Sequence, residues 1–296
     1  MRERSALAQV FTAHEQGSSH MGKLDGKVAF ITGAARGQGR SHALKLAQEG
    51  ADIIAIDICE QVGSVGYPLA TEEDLAETVR QVEALDRRIV ASKADVRDTA
   101  QVTKAVDDGV AELGRLDIVL ANAGIATFAP LEDLTDDVWD EMIAINLTGV
   151  FKTVRAAVPH LKAGGNGGAI VLTSSTAGIK GLANLAHYVA AKHGVVGLVK
   201  TFANELAPFD IRVNSVHPTS VNTDMIHNSE TYNLFLPDTP NPTKEDAGAA
   251  FKTLNALPIE WVEPVDISNA IAFLVSDDAR YITGVQLPVD AGSVIK

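Results

Sequence analysis

From Lys27 onward, short runs of β-branched and other apolar residues alternate with longer segments whose apolar residues recur at helical spacing. Runs that are apolar throughout are strands covered on both faces, and strands separated by helices lie parallel. The pattern predicts an α/β fold with a doubly wound parallel sheet in three αβα layers. Strands are predicted at 28–32, 52–57, 89–93, 118–121, 168–173, 212–216 and 286–289. Helices are predicted at 40–49, 75–85, 100–113, 136–160, 186–206 and 264–275. Pro159 is expected to interrupt the fourth helix near its end, because it lacks the amide donor a helix interior needs.

Two stretches hold no period. Residues 59–71 contain Gly63, Gly66 and Pro68, and residues 224–258 contain Pro237, Pro240 and Pro242; both read as loops carrying at most short helices. The second is placed to act as a mobile lid over a ligand. With 46% of 296 residues hydrophobic, residues 22–296 can bury the core of one domain. Residues 1–21 lack the apolar core of a secretory signal and read as a flexible leader or expression-tag remnant.

The formal charge of -13 opposes phosphate backbones and anionic membranes, so neither nucleic acid nor membrane is an expected partner. No apolar run approaches the roughly 20 residues of a membrane-spanning helix. A single cysteine, Cys59, excludes an intrachain disulfide and a cysteine-rich zinc site; no metal is expected, and a reducing cytoplasm fits.

The string Thr32-Gly33-Ala34-Ala35-Arg36-Gly37-Gln38-Gly39 lies between a predicted strand and a predicted helix. Glycines there allow a tight turn and close approach of backbone to pyrophosphate, and the helix N-terminus offers free amides to its charge. Gly33, Ala35, Arg36, Gly37, Gln38 and Gly39 are therefore candidate dinucleotide contacts. Asp57 ends the second predicted strand about 20 residues further on, where a carboxylate accepts from ribose hydroxyls and repels a 2′-phosphate. Ile58 and Cys59 follow with no Arg or Lys, which favours NAD over NADP.

Tyr188 and Lys192 stand four apart in a helical segment and share one face. A tyrosine hydroxyl with a pKa near 10 needs an adjacent cation to act as a base near neutrality. Ser175 lies thirteen residues earlier, just past a strand, positioned to hold a substrate oxygen. Each has a duller use, the pair as an exposed helix couple and Ser175 as a turn former beside Ser174. His187, His193 and His217 form no ligand cluster, and Trp139 and Trp261 read as packing residues.

In order along the chain, the glycine turn, Asp95, Asn122-Ala123-Gly124, Asn146, Ser175 and Tyr188-Val189-Ala190-Ala191-Lys192 resemble the motifs of classical short-chain dehydrogenases, which have a Rossmann fold. The resemblance covers roughly residues 27–292. It implies Tyr188 as general acid/base, Lys192 lowering its pKa and contacting the nicotinamide ribose, Ser175 positioning the substrate oxygen, and Asn146 supporting a proton-relay water. It further implies Asp95 and Val96 at the adenine, Asn122, Ala123 and Gly124 behind the cofactor, and Val221 and Thr223 at the carboxamide. Pro218-Thr219 stands where the family usually has Pro-Gly, so the nicotinamide end is expected to differ in detail.

Within the family, residues 33–42, Ile56-Asp57-Ile58-Cys59 and Tyr67-Pro68 resemble the mycobacterial carveol dehydrogenase group, also described as mycofactocin-coupled. That resemblance implies oxidation of a cyclic terpene-like secondary alcohol with tightly held NAD reoxidised by a redox partner, the loop after Asp57 clasping the adenosine end. The wider family commonly packs helices like 136–160 and 186–206 between subunits as a dimer of dimers, which implies a homotetramer. The apolar lid residues Met225, Ile226, Leu234, Phe235 and Leu236 agree with a hydrophobic alcohol. A steroid, another cyclic alcohol, a 3-oxoacyl substrate, or NAD binding without turnover are the alternatives.

Overall fold

The computed structural model describes residues 22–296; the leader reading of residues 1–21 lies outside them. The strands are β1 (Val28–Thr32), β2 (Asp52–Asp57), β3 (Ile89–Lys93), β4 (Ile118–Ala121), β5 (Gly168–Thr173), β6 (Ile211–Pro218) and β7 (Gln286–Val289). They form one sheet in the order β3-β2-β1-β4-β5-β6-β7, every neighbouring pair parallel. This is the doubly wound Rossmann arrangement, its winding reversing between β1 and β4.

Because side chains alternate along a strand, β1 and β2 feed two cores. Phe30, Ile54 and Ile56 pack on one face with Val102 and Val106 of α3 (Thr99–Leu113) and Val195 and Val199 of α6 (Ala186–Leu206). Ala29, Ile31, Ile53 and Ala55 pack on the other with Ala43 and Leu46 of α1 (Gly37–Gln48) and Ile267 and Ile271 of α9 (Pro264–Val275). α2 (Glu72–Glu83) opens on a capping box between Thr71 and Asp74 that closes off residues 59–71.

Six of the seven strands start and stop as the sequence predicts. β6 is longer than 212–216 and runs through His217 to Pro218, held by β7 at its far end, where His217 pairs with Pro288. Pro288 is tolerated because β7 is the sheet edge and needs no further ladder donor. α1 starts three residues before the predicted 40, inside the glycine turn itself.

The predicted helix 136–160 is two helices, α4 (Asp136–Ile143) and α5 (Val150–Gly164), joined by a π-helical turn over Ala144–Gly149. The expected interruption at Pro159 does not occur. α5 continues to Gly164, and Pro159 sits on an exposed face, where water can reach the carbonyl it leaves without a donor. Residues 224–258 carry α7 (Ser229–Phe235) and α8 (Lys244–Leu254), the second opened by a capping box between Thr243 and Asp246.

Replacing Pro159 by alanine restores the missing donor without altering buried packing. The Pro159→Ala protein is expected to gain about 1 kcal/mol or more of stability, read as a raised urea midpoint with an unchanged slope.

Candidate active site

The reversal of winding leaves a crevice at the carboxyl ends of β1 and β4, where ligands bind in such sheets. Asn122, just past β4, fastens its two sides. Its backbone amide donates to Thr32 Oγ1 at 3.1 Å, and its side-chain Nδ2 donates to the Thr32 carbonyl at 3.1 Å. Gly33 follows at φ +68°, and a Cβ there would lie 2.8 Å from Ala123 Cα. A Cβ on Gly39 would lie 1.9 Å from the Gly33 carbonyl oxygen. No side chain caps the start of α1, so its first amides remain for an outside acceptor.

A cavity runs from this turn to the end of β2 and is walled by Gly33, Arg36, Gly37, Gln38, Gly39, Asp57, Ile58, Asp95, Val96, Asn122, Ala123, Gly124 and Thr223. Asp57 is held by the backbone amides of Ala35 at 3.0 Å and Cys59 at 3.2 Å. Burial pushes its carboxyl upward, and those amides, with the nearby Arg36 charge, oppose the rise. Of the candidate turn contacts, only Ala35 is not brought to the cavity; it is fully buried and its amide is taken by Asp57. The glycine cradle, the free helix amides and the strand-end carboxylate fit a dinucleotide.

The stretch after Asp57, which the sequence reading places as a clasp on the adenosine end, walls this cavity, though the contacts that hold it there are not legible in the sequence. Val62, Tyr67, Leu69 and Ala70, from the stretch after β2, form one wall, and Met225 another. Gln61 folds that stretch on itself, its Nε2 donating to the carbonyls of Val65 at 2.7 Å and Tyr67 at 3.2 Å. Tyr67 is buried, accepts from the Ala126 amide at 3.4 Å, and its hydroxyl is pushed up to about 12 by burial. Arg36 joins both insertions, donating from Nη2 to the Pro68 carbonyl at 2.5 Å and pairing through Nη1 with Asp224 at 3.0 Å. The glycine turn, the stretch after β2 and the start of the 224–258 segment are thus fastened through one guanidinium.

A second cavity of about 410 Å³ joins the first along Gln38, Asn122, Gly124, Ile125, Thr223 and Met225, a size within the range of small-molecule sites. Ser175, Tyr188, Lys192, Pro218, Thr219 and Val221 line it. So do Met225, Ile226, Leu234 and Phe235, whereas Leu236 does not. Burial raises the Tyr188 hydroxyl pKa, and a hydrogen bond with Ser175 opposes the rise. The Lys192 ammonium lies 5.5 Å from the Tyr188 ring centre and donates to the Thr173 carbonyl at 2.9 Å. Burial lowers its pKa from 10.5 to about 8.

Asn146 lies within the π turn, fully buried. Its side chain accepts from the Ile125 amide at 2.9 Å and donates to the Ile125 carbonyl at 2.8 Å. The unusual winding thus turns Asn146 toward the strand β4 exit, which no amphipathic pattern announces. Ser174 is set aside from the chemistry because its hydroxyl donates to the Lys192 carbonyl at 3.0 Å. His217, on the unpredicted end of β6, donates from Nδ1 to the Ser175 carbonyl at 2.7 Å and receives Ser215 Oγ at Nε2 at 2.9 Å. His187 engages Thr127 at 2.7 Å, Trp261 stacks edge-on with His227, and Trp139 is part-exposed on α4.

The buried Lys192 has a consequence for stability. Between about 8 and 10.5 the folded chain holds fewer protons at this group than the unfolded chain, so folding gains with rising pH across that window. Urea unfolding of wild type against Lys192→Met is therefore expected to shift in favour of wild type from pH 8 to pH 10.5. A pH-independent difference would mean that the ammonium is not buried.

The short chain dehydrogenase family model matches residues 27–233. The chain is 59% identical over 277 residues to the (-)-trans-carveol dehydrogenase of Rhodococcus erythropolis, covering 93% of this chain and 100% of that protein. Carveol dehydrogenase from Mycobacterium avium in complex with NAD has a TM-score of 0.92 at 57% identity, over 93% of this chain and 100% of that one. A short chain dehydrogenase from Mycobacterium paratuberculosis bound to NAD has a TM-score of 0.83 at 47% identity, with the same coverage. With its glycine cradle, its sheet order and these matches, the chain belongs to the short-chain dehydrogenase family.

Proposed function

We propose that the chain oxidises a secondary alcohol on an apolar cyclic skeleton, of the carveol kind, to the ketone, with NAD as cofactor. The observation that carries this reading is the placing of Ser175, Tyr188 and Lys192 on the wall of an apolar cavity that opens into the glycine-turn cavity. Family membership and the NAD complexes of the two structural relatives support the cofactor. NAD, when bound, supplies the hydride acceptor.

Ser175 holds the alcohol oxygen, and its own carbonyl is steadied by His217. Tyr188, as phenolate, takes the hydroxyl proton as the carbonyl forms; in the reverse direction it returns it. Lys192 stands beside Tyr188, where an ammonium lowers the cost of a phenolate. Asn146 holds the Ile125 backbone, and with it the loop after β4 that backs both cavities. Asn146 Oδ1 spends one of its two acceptor positions on the Ile125 amide, which leaves one for the proton-relay water this reading assigns to it.

The Arg36 fastening of both insertions supports slow nucleotide exchange, with the bound NADH reoxidised in place by a two-electron redox partner. Residues 224–258 then serve as the lid of a single domain spanning 22–296. Among the described residues no helix is long and apolar enough to cross a membrane, which accords with a cytoplasmic site of action. Assembly into a homotetramer would run through α4 with α5 and through α6, the part-exposed Trp139 of α4 and Phe151 of α5 offering apolar surface.

The test is to denature the purified protein, identify released nucleotide by mass spectrometry, and assay carveol oxidation with free NAD and with an artificial electron acceptor. Copurified NAD with turnover through the acceptor alone supports the retained-cofactor reading; an empty protein that reduces free NAD overturns it. Tyr188→Phe is expected to abolish turnover while retaining NAD, and undiminished turnover would remove Tyr188 from the chemistry. Asp57→Asn, which removes the charge but keeps one acceptor, is expected to shrink the preference for NAD over NADP roughly tenfold to a hundredfold in equilibrium binding.

A further inference from the structure

The wall of the substrate cavity carries two charged side chains, Lys180 and Lys192, and no carboxylate. Lys192 is committed to the Thr173 carbonyl and stands beside Tyr188. Lys180 has no such commitment to the chemistry. Its ammonium donates to the Ser293 carbonyl at 2.5 Å and reaches the Ser293 hydroxyl at 3.4 Å, both neutral oxygens of one residue. An ammonium has three N–H donors, so one remains for the cavity. In a chain of net charge -13, a cation left without a carboxylate in a mostly apolar cavity is a selective feature of that wall.

Its position relative to the reacting centre is set by a short stretch of backbone. Ser175 caps the 3₁₀ turn Thr176–Gly178, and the Lys180 amide donates to the Thr176 carbonyl at 3.0 Å. Five residues could extend at most roughly 17 Å, and the turn shortens that to the scale of one small molecule. One turn therefore presents a hydroxyl for the reacting oxygen at its start and a cation for a second group at its end. Leu182, Leu185 and Phe128 line the same cavity and provide apolar surface for a ring between them.

We propose that Lys180 binds a carboxylate carried across the ring from the reacting alcohol, so that cyclic secondary alcohols bearing such a carboxylate are turned over better than their neutral esters. This rests on the reading of the cavity as the alcohol site. The carboxylate makes a charge-assisted hydrogen bond to the remaining N–H and neutralises a cation that no carboxylate on the cavity wall compensates. The same group in ester form keeps the shape and loses the charge.

The experiment compares kcat/KM for trans-4-hydroxycyclohexanecarboxylate and its methyl ester in wild type, Lys180→Met and Lys180→Arg. Calorimetric binding of cyclohexanecarboxylate and its methyl ester to the NAD-loaded proteins runs in parallel. Wild type is expected to favour acid over ester by about tenfold in both measurements, the ratio falling to near one in Lys180→Met and surviving in Lys180→Arg. Equal treatment of acid and ester by wild type overturns the proposal without any variant. So does a Lys180→Met protein in which both substrates fall alike, since that is the mark of a strap holding Ser293. Acid-selective binding with no oxidation of either alcohol would leave Lys180 its role and overturn the alcohol reading; oxidation without selectivity would do the reverse.

Discussion

Where β1 and β4 lie side by side, the segments that leave them turn to opposite faces of the sheet, and the gap between is spanned by Asn122 bonded to Thr32. Everything that touches a ligand is measured from that pair. Gly33 sits against Ala123 because Thr32 and Asn122 hold the two strand ends together, and Gly39 sits against Gly33 because α1 must start there. The free amides of α1 then face the gap. The neighbouring exit of β5 carries Thr173, whose carbonyl holds Lys192, followed at once by Ser175. Of the proposed catalytic groups, Ser175 follows a strand end closely and Lys192 of α6 is tied to the same strand end, so their placing is referred to the sheet.

This explains why so much of the molecule was legible in the sequence. Buried parallel strands must be apolar throughout, so Val28–Thr32 and Ile53–Ile56 announce themselves, and the glycine turn is read from its place between strand and helix. That Tyr188 and Lys192 share a face follows from helical spacing, Ser175 is picked out by the family resemblance, and all three reach one cavity wall. What escaped has physical causes. The last turn of β6 is His217 and Pro218, residues that do not look like strand and are held there by the β7 edge. The π turn at Asn146 leaves the apolar pattern of its flanking helices almost unbroken, so one long helix was the natural reading. The roles of Tyr67 and Arg36 in covering the nucleotide cavity depend on contacts between segments far apart in the chain, which no local period encodes.

The wall proposed for catalysis is also costly to fold. Lys192 is buried with one carbonyl acceptor, and the Tyr188 hydroxyl is buried beside it. Gln38 Oε1, at the seam of the two cavities, is buried without a partner. Desolvated charges and orphan acceptors cost stability unless a ligand completes them. His42, Ser64 and His187 carry buried, unpartnered polar atoms away from this seam as well, so the cost is not confined to it, and the part at the seam is open to a ligand. A bound dinucleotide that supplied partners along this seam would stabilise the fold as well as equip it.

The two hydrogen-bonding arms of Arg36 carry a thermodynamic consequence. A nucleotide free to leave comes to equilibrium with the cell's pool, and its oxidation state follows the pool's ratio. One slowed in leaving by two flaps bonded to the same guanidinium need not follow that pool. On the retained-cofactor reading, the direction of the reaction is then set by the potential of whatever protein or carrier meets the enzyme, and a swing in the ratio of free NADH to NAD would pass it by. A single arginine in a phosphate-binding turn would thus divide the metabolic accounts to which one fold can answer.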